Sequence, residues 1–110
     1  ETFAAIEATL VPWIRKTQGH TLEISIAARA FAAASQGSAQ LWDTVAKKVL
    51  LQLSLKHFHP RHLSNFVWAY ATARQRANPP LPMLEALAAE SEKSARHFSC
   101  EELVDVAWAF

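Results

Sequence analysis

Phe58-His59-Pro60-Arg61-His62-Leu63-Ser64-Asn65-Phe66-Val67-Trp68-Ala69-Tyr70-Ala71 is the stretch on which the reading of this chain turns. Forty residues later, Phe98-Ser99-Cys100-Glu101-Glu102-Leu103 leads to Trp108-Ala109-Phe110, so that Phe, Leu, Trp, Ala and an aromatic fall at the same offset in both. Thirty-nine residues earlier a fainter copy has Ile24 for Leu63, Ala30-Phe31-Ala32 for Ala69-Tyr70-Ala71, and Arg29 in place of the Trp. The intervening segments repeat too: Phe3 and Ile6 match Trp42 and Val45, which in turn match Leu84 and Leu87. Self-similarity at a fixed period of this length marks stacked supersecondary units, none of which buries its apolar face alone.

The unit is a pair of helices. Apolar residues recur at helical spacing throughout: Phe3, Ile6, Leu10, Trp13 and Ile14 form one stripe, Leu22, Ile26 and the Ala-rich run to Ala34 a second, ended by Gly37. Trp42, Val45, Ala46, Val49 and Leu53 form a third, with Leu41, Leu51 and Leu55 opposite them, as expected of a helix buried on both faces. Pro60 fits the first position of a fourth helix running to about Gln75, and Asn78-Pro79-Pro80-Leu81-Pro82 breaks the chain before a fifth. Ser99 and Glu102 have capping-box spacing at the start of a sixth, with Phe98 and Leu103 placed as its hydrophobic staple. The expectation is an all-α fold, a right-handed α-solenoid of antiparallel helix pairs with about 39–40 residues per repeat and roughly two and a half repeats. Its boundaries are 1–20 for a half repeat, 21–58 and 59–98 for repeats, and 99–110 for the start of the next, all in one array fragment.

Length and composition agree. A chain of 110 residues, 51% apolar and 19% charged with two Gly, is too hydrophobic for disorder and too Gly-poor for a loop-rich β fold. No apolar run approaches the roughly 20 residues that span a bilayer, so membrane insertion is not expected. The single Cys excludes an internal disulfide and a Cys-cluster metal site, and suits a reducing compartment. The chain opens on Glu1 without a signal-type segment, and the last stripe, Leu103, Val106, Ala107 and Phe110, ends with nothing to cover it. The expectation is therefore an internal window of a longer array, its ends covered by neighbouring repeats or by protein subunits.

Catalysis finds no support in the residues. There is no Gly-rich phosphate loop, no His-Glu-x-x-His, and no nucleophile set beside a base, so neither enzyme activity nor a cofactor is expected. His57, His59 and His62 invite a zinc reading with Cys100, but their spacing matches no structural zinc motif.

Charge is more informative. Net charge is +1, yet residues 44–84 carry Lys47, Lys48, Lys56, Arg61, Arg74 and Arg76 with no acid, while residues 85–110 carry a net −4. Placed on a helical wheel with Leu63 at the core, Arg61, Asn65, Trp68, Thr72 and Arg76 share the opposite side. Such a stripe of donors around an aromatic can hold single-stranded RNA, and Lys47, Lys48 and Lys56 can extend the positive surface toward phosphates. For Trp68 and Trp108 packing outweighs stacking, and Asn65 also suits a structural amide tying adjacent helices. Arg61 and Arg76 fit RNA contact and plain solvation equally. Glu101 and Asp105 stand where Arg61 and Asn65 stand one repeat earlier, so either part of the array contacts RNA or these positions read bases.

The segment Phe58 to Ala71, with its Phe-x-Pro-x-x-Leu-x-Asn-x-x-Trp-Ala-Tyr-Ala pattern, resembles the octotricopeptide repeat and the related heptatricopeptide arrays found with RAP domains and FAST-kinase-like proteins. Pro80-Leu81-Pro82-Met83-Leu84-Glu85-Ala86-Leu87-Ala88 is similar to the other helix of that repeat. The resemblance covers residues 58–110 best, and departs from the pattern at Arg61 and Asp105. It implies an α-solenoid in a mitochondrion, alternatively a plastid, that binds RNA in organellar RNA stability, processing or translation, with rRNA in an organellar ribosome among its targets. The alternative is a protein-interaction scaffold in a large complex, in which acidic and basic repeats are complementary patches for other subunits.

Overall fold

The computed structural model describes residues 2–54 and 58–110, apart from the side chains of Ser54 and Arg76. Its helices are α1 (Thr2–Lys16), α2 (Thr21–Ala33), α3 (Ala39–Ser54), α4 (Pro60–Thr72), the single turn α5 (Arg74–Ala77), α6 (Leu81–Ser94) and α7 (Cys100–Ala109). A 3₁₀ turn over Ala95–His97 precedes α7, and no strand occurs among the described residues. The fold is all-α.

Local chemistry explains most of the boundaries. Helix α4 starts at Pro60, whose missing N–H would have had no helical partner. Helix α7 starts in the anticipated reciprocal box: Ser99 N–H donates to Glu102 Oε1 at 2.8 Å, and Glu102 N–H to Ser99 Oγ at 3.2 Å. Helix α2 ends differently from the expectation. Ser35, not Gly37, takes the left-handed position (φ 56°), with Ser35 N–H on the Ala32 carbonyl (3.1 Å) and Gln36 N–H on that of Phe31 (2.9 Å). Gly37 (φ 106°) instead lets the chain pass close to Trp42, where a Cβ would lie 2.8 Å from the indole Nε1. Helix α4 stops short of Gln75 at a turn on Ala73, and α5 follows.

Two layers result. Helix α3 packs between α1 and α6, and α4 packs between α2 and α7. The layers meet where α2 touches α3 and α4 touches α6. Trp42, Leu41, Val45 and Val49 of α3 and Leu63, Phe66 and Tyr70 of α4 are buried at the centre, with Ile14, Ile24, Met83 and Leu87 brought in by the flanking helices. Trp42 and Tyr70 meet edge to face at 5.3 Å, and the Tyr70 hydroxyl donates to the Trp42 carbonyl at 2.7 Å. Burial, with Asp43 adding to it, pushes the Tyr70 phenol far above its ordinary range, so it stays a donor. The radius of gyration, 12.9 Å, equals the roughly 13 Å of a closely packed domain of this length.

The flanking helices bury less than their stripes suggest. In α1 Val11 and Ile14 are buried while Ile6 and Trp13 are exposed, and in α2 Ile24, Ser25 and Ala28 are buried while Ile26 is 52% exposed. Leu103, Val104 and Trp108 of α7, and Phe110 just after it, are exposed as well. A helix with one lateral neighbour covers fewer apolar positions than α3 or α4, each of which has two. Leu51 of α3 is also exposed, so that helix is not buried all round, and Leu55 lies outside the described residues.

Candidate nucleic-acid interface

The residues expected to contact RNA fall in three separate places. Lys47 and Lys48 project from α3 beside the end of α1 and line a shallow depression of about 190 Å³ with Arg15, Thr44 and Leu51. Lys48 Nζ donates to the Thr17 carbonyl just beyond the end of α1 (2.9 Å), where a cation complements the helix dipole. Lys47 pairs with Asp43 one helical turn earlier at 3.1 Å, in full contact with solvent. Such a pair is worth little and exchanges readily for another anion. None of the five lining residues is acidic.

Arg61 lies elsewhere, at the start of α4. It lines a depression of about 400 Å³ with Arg29, Asn65, Glu101, Glu102 and Asp105. Three carboxylates surround its two guanidinium groups, so this groove carries no positive excess. Thr72, at the far end of α4, is exposed beside Arg74 and Gln75 in a third depression. Lys56 and the side chain of Arg76 lie outside the described residues.

Asn65 does not lie on an open face. It is 8% exposed, its Nδ2 donates to Ser25 Oγ at 3.1 Å, and its Oδ1 accepts from Arg29 Nη1 at 3.3 Å. Ser25 in turn donates to the Leu22 carbonyl at 2.7 Å. The wheel placed Asn65 opposite the core because it assumed one buried side; α4 has neighbours on both flanks, and its supposed outer stripe is partly their contact. Asn65 is the amide that ties α4 to α2.

Arg29 organises this layer. Its guanidinium lies 4.5 Å from the centre of the Trp68 ring, and Nη1 also reaches Asp105 Oδ2 at 3.0 Å. Trp68 and Trp108 follow with ring centres 6.4 Å apart and planes 31° from parallel. The three positions that repeat at equal offsets in the sequence thus lie side by side across α2, α4 and α7. The substitution of Arg for Trp in the first copy was the visible signal of Arg29, since a guanidinium plane can take a ring's place in a stack. Arg15 had no such signal: it acquires meaning only because α1 packs against α3.

His59 and His62 have a structural task. His59 Nδ1 accepts from Arg61 N–H and His62 Nδ1 from His59 N–H, each at 3.2 Å, which makes a capping box of two imidazoles at the start of α4. Burial, then the neighbouring His59 and Arg61 charges, hold the His62 pKa below its ordinary value. Among the described residues no three His, Cys, Asp or Glu side chains gather into a metal-binding group, and no helix is long and apolar enough to cross a membrane. No protein-family model, curated protein or solved structure matches the chain.

Proposed function

We propose that this chain is a stretch of a right-handed α-solenoid of the octotricopeptide and heptatricopeptide kind that binds single-stranded RNA. The observation that carries the RNA part is the convergence of Arg15, Lys47 and Lys48, from two helices, on one depression free of lining acids. Phosphates need only charge and reach, and these side chains supply both. The side-by-side packing of equivalent helices, and the alignment of Arg29, Trp68 and Trp108 across it, support the repeat part. The organellar part of the reading, with a role in RNA stability, processing or translation or as a ribosomal subunit contacting rRNA, rests on the sequence resemblance.

The test compares Arg15→Glu/Lys47→Glu with Arg61→Glu in binding to mixed-sequence single-stranded RNA across a salt series. Three phosphate contacts give a slope of about −2 in log affinity against log salt, from roughly 0.7 per contact on single strands. The first variant should abolish binding and flatten that slope, and the second should leave both near wild type. Equal losses in the two variants would sink the assignment to this surface.

A second reading, a protein scaffold, is favoured by the exposed apolar side chains of Leu103, Val104 and Trp108 on α7 and of Phe110 just after it. Intact folding without RNA binding would move the function there.

A further inference from the structure

Helix α2 begins without a cap. Gly19 (φ 78°) and His20 (φ 53°) turn the chain through the left-handed region, and the His20 side chain bonds none of the first-turn N–H groups. The first backbone bond is from Ile24 N–H to the His20 carbonyl at 3.0 Å. The N–H groups of Thr21, Leu22 and Glu23 therefore have no partner among the described residues, whereas the boxes of α4 and α7 each pair one first-turn N–H, that of Arg61 and that of Glu102. Open N–H groups at the positive end of a helix attract an anion.

A second observation is independent of the helix end. Thr21, Leu22 and Glu23 line a cavity of about 670 Å³, and Gln52 of α3 forms part of the same wall. Gln52 is only 5% exposed, yet its amide has no hydrogen-bond partner among the described residues. The amide is held in the wall with its donors and its acceptor free for a group in the cavity. Lys48, His20 and His62 also line the cavity. Lys48 spends one donor on the Thr17 carbonyl, and an ammonium has three. The opposing charge is Glu23, whose carboxylate lies 3.8 Å from His20 Nδ1.

We propose that this cavity binds the phosphate of a nucleotide, with the phosphate on the open first turn of α2 beside Lys48 and the Gln52 amide pairing with the sugar or base. The volume lies within the roughly 300–1,000 Å³ of small-molecule sites, more than a bare phosphate fills. The phosphate has two sources, a free nucleotide or a phosphodiester of an RNA chain. The second rests on the RNA reading above and fits one further fact: Lys48 and Leu51 line both this cavity and the Arg15–Lys47 depression, so the two adjoin.

Backbone amide signals of Thr21, Leu22 and Glu23 report directly on the site. Inorganic phosphate, uridine monophosphate and a single-stranded oligouridylate are titrated separately into the isotopically labelled protein. The expected result is movement of these three signals, weakened about tenfold by Lys48→Met, as for loss of one charge-assisted hydrogen bond. Gln52→Leu, similar in volume, should weaken the monophosphate and the oligonucleotide but not inorganic phosphate, and Glu23→Gln should tighten all three. Movement with uridine monophosphate but no binding of the oligonucleotide upholds the site and overturns the RNA reading. Oligonucleotide binding that leaves the three signals still overturns the site and preserves the RNA reading. No movement with any of the three ligands in the wild-type protein also overturns it.

Discussion

Lowering the pH should loosen the start of α4 and leave the start of α7 alone. In α4 the cap consists of two imidazole nitrogens: His59 Nδ1 accepts from Arg61 N–H, and His62 Nδ1 accepts from His59 N–H. An imidazolium has no acceptor, so the box exists only while both rings are neutral with their protons on Nε2. Burial, reinforced by His59 and Arg61 and opposed in part by Glu23, lowers the His62 pKa from the ordinary 6.5. The unfolded chain thus takes up a proton at position 62 at a higher pH than the folded chain does. The stability that this cap contributes is complete above about pH 6.5 and is lost as pH falls through the lower folded value. An N-cap is typically worth about 1 kcal/mol, with partly exposed sites toward the low end. At a urea m-value of about 2 kcal/mol/M, the midpoint of unfolding should fall by about 0.5 M between neutral and mildly acidic solution. The control is His59→Ser/His62→Glu, which copies the Ser99–Glu102 box that α7 carries at the equivalent positions. Urea unfolding followed by circular dichroism at both pH values should show the drop in the wild type and a smaller one in the variant. Parallel losses in the two proteins would refute the assignment, because all other titrating groups are shared.

Gly37→Ala should destabilise the fold by about 1–3 kcal/mol, since it forces a left-handed residue to carry a Cβ against the Trp42 indole; thermal unfolding measures the loss. Tyr70→Phe removes the buried bond to the Trp42 carbonyl and should cost about 1 kcal/mol in denaturant unfolding. Arg29→Met should lose both the Trp68 contact and the Asp105 pair, about 1–2 kcal/mol together. A double-mutant cycle with Asp105→Asn should leave a coupling of about 0.5–1 kcal/mol at low salt, and a coupling of zero would show that the pair contributes nothing in solution.

The helical class, the Pro60 start of α4 and the Ser99–Glu102 cap of α7 were all legible in the chain itself. Each depends on residues within about one helical turn of one another, or on a periodicity that a linear string displays directly. The equivalence of Arg29, Trp68 and Trp108 was legible as well, because the repeat carries it at equal offsets. Asn65 was legible only as two alternatives, an RNA contact or an amide tying adjacent helices, and its bonds to Ser25 and Arg29 decide for the second. A helical wheel divides a helix into one inner and one outer side, and α4 is flanked by α2 and α7 along what the wheel counts as its outer stripe. The positive surface was legible as a list of charges and misleading as a surface. Arg61 shares its groove with three acids from α7, while Lys47 and Lys48 find Arg15 only because α1 lies against α3. The open first turn of α2 and the unpaired Gln52 amide beside it belong to the same class of fact. Local pattern dictates which residues form a helix and how it starts and stops. Which charges meet, and which polar groups are left facing a cavity, depends on how distant helices pack, and no stretch of sequence contains that pairing.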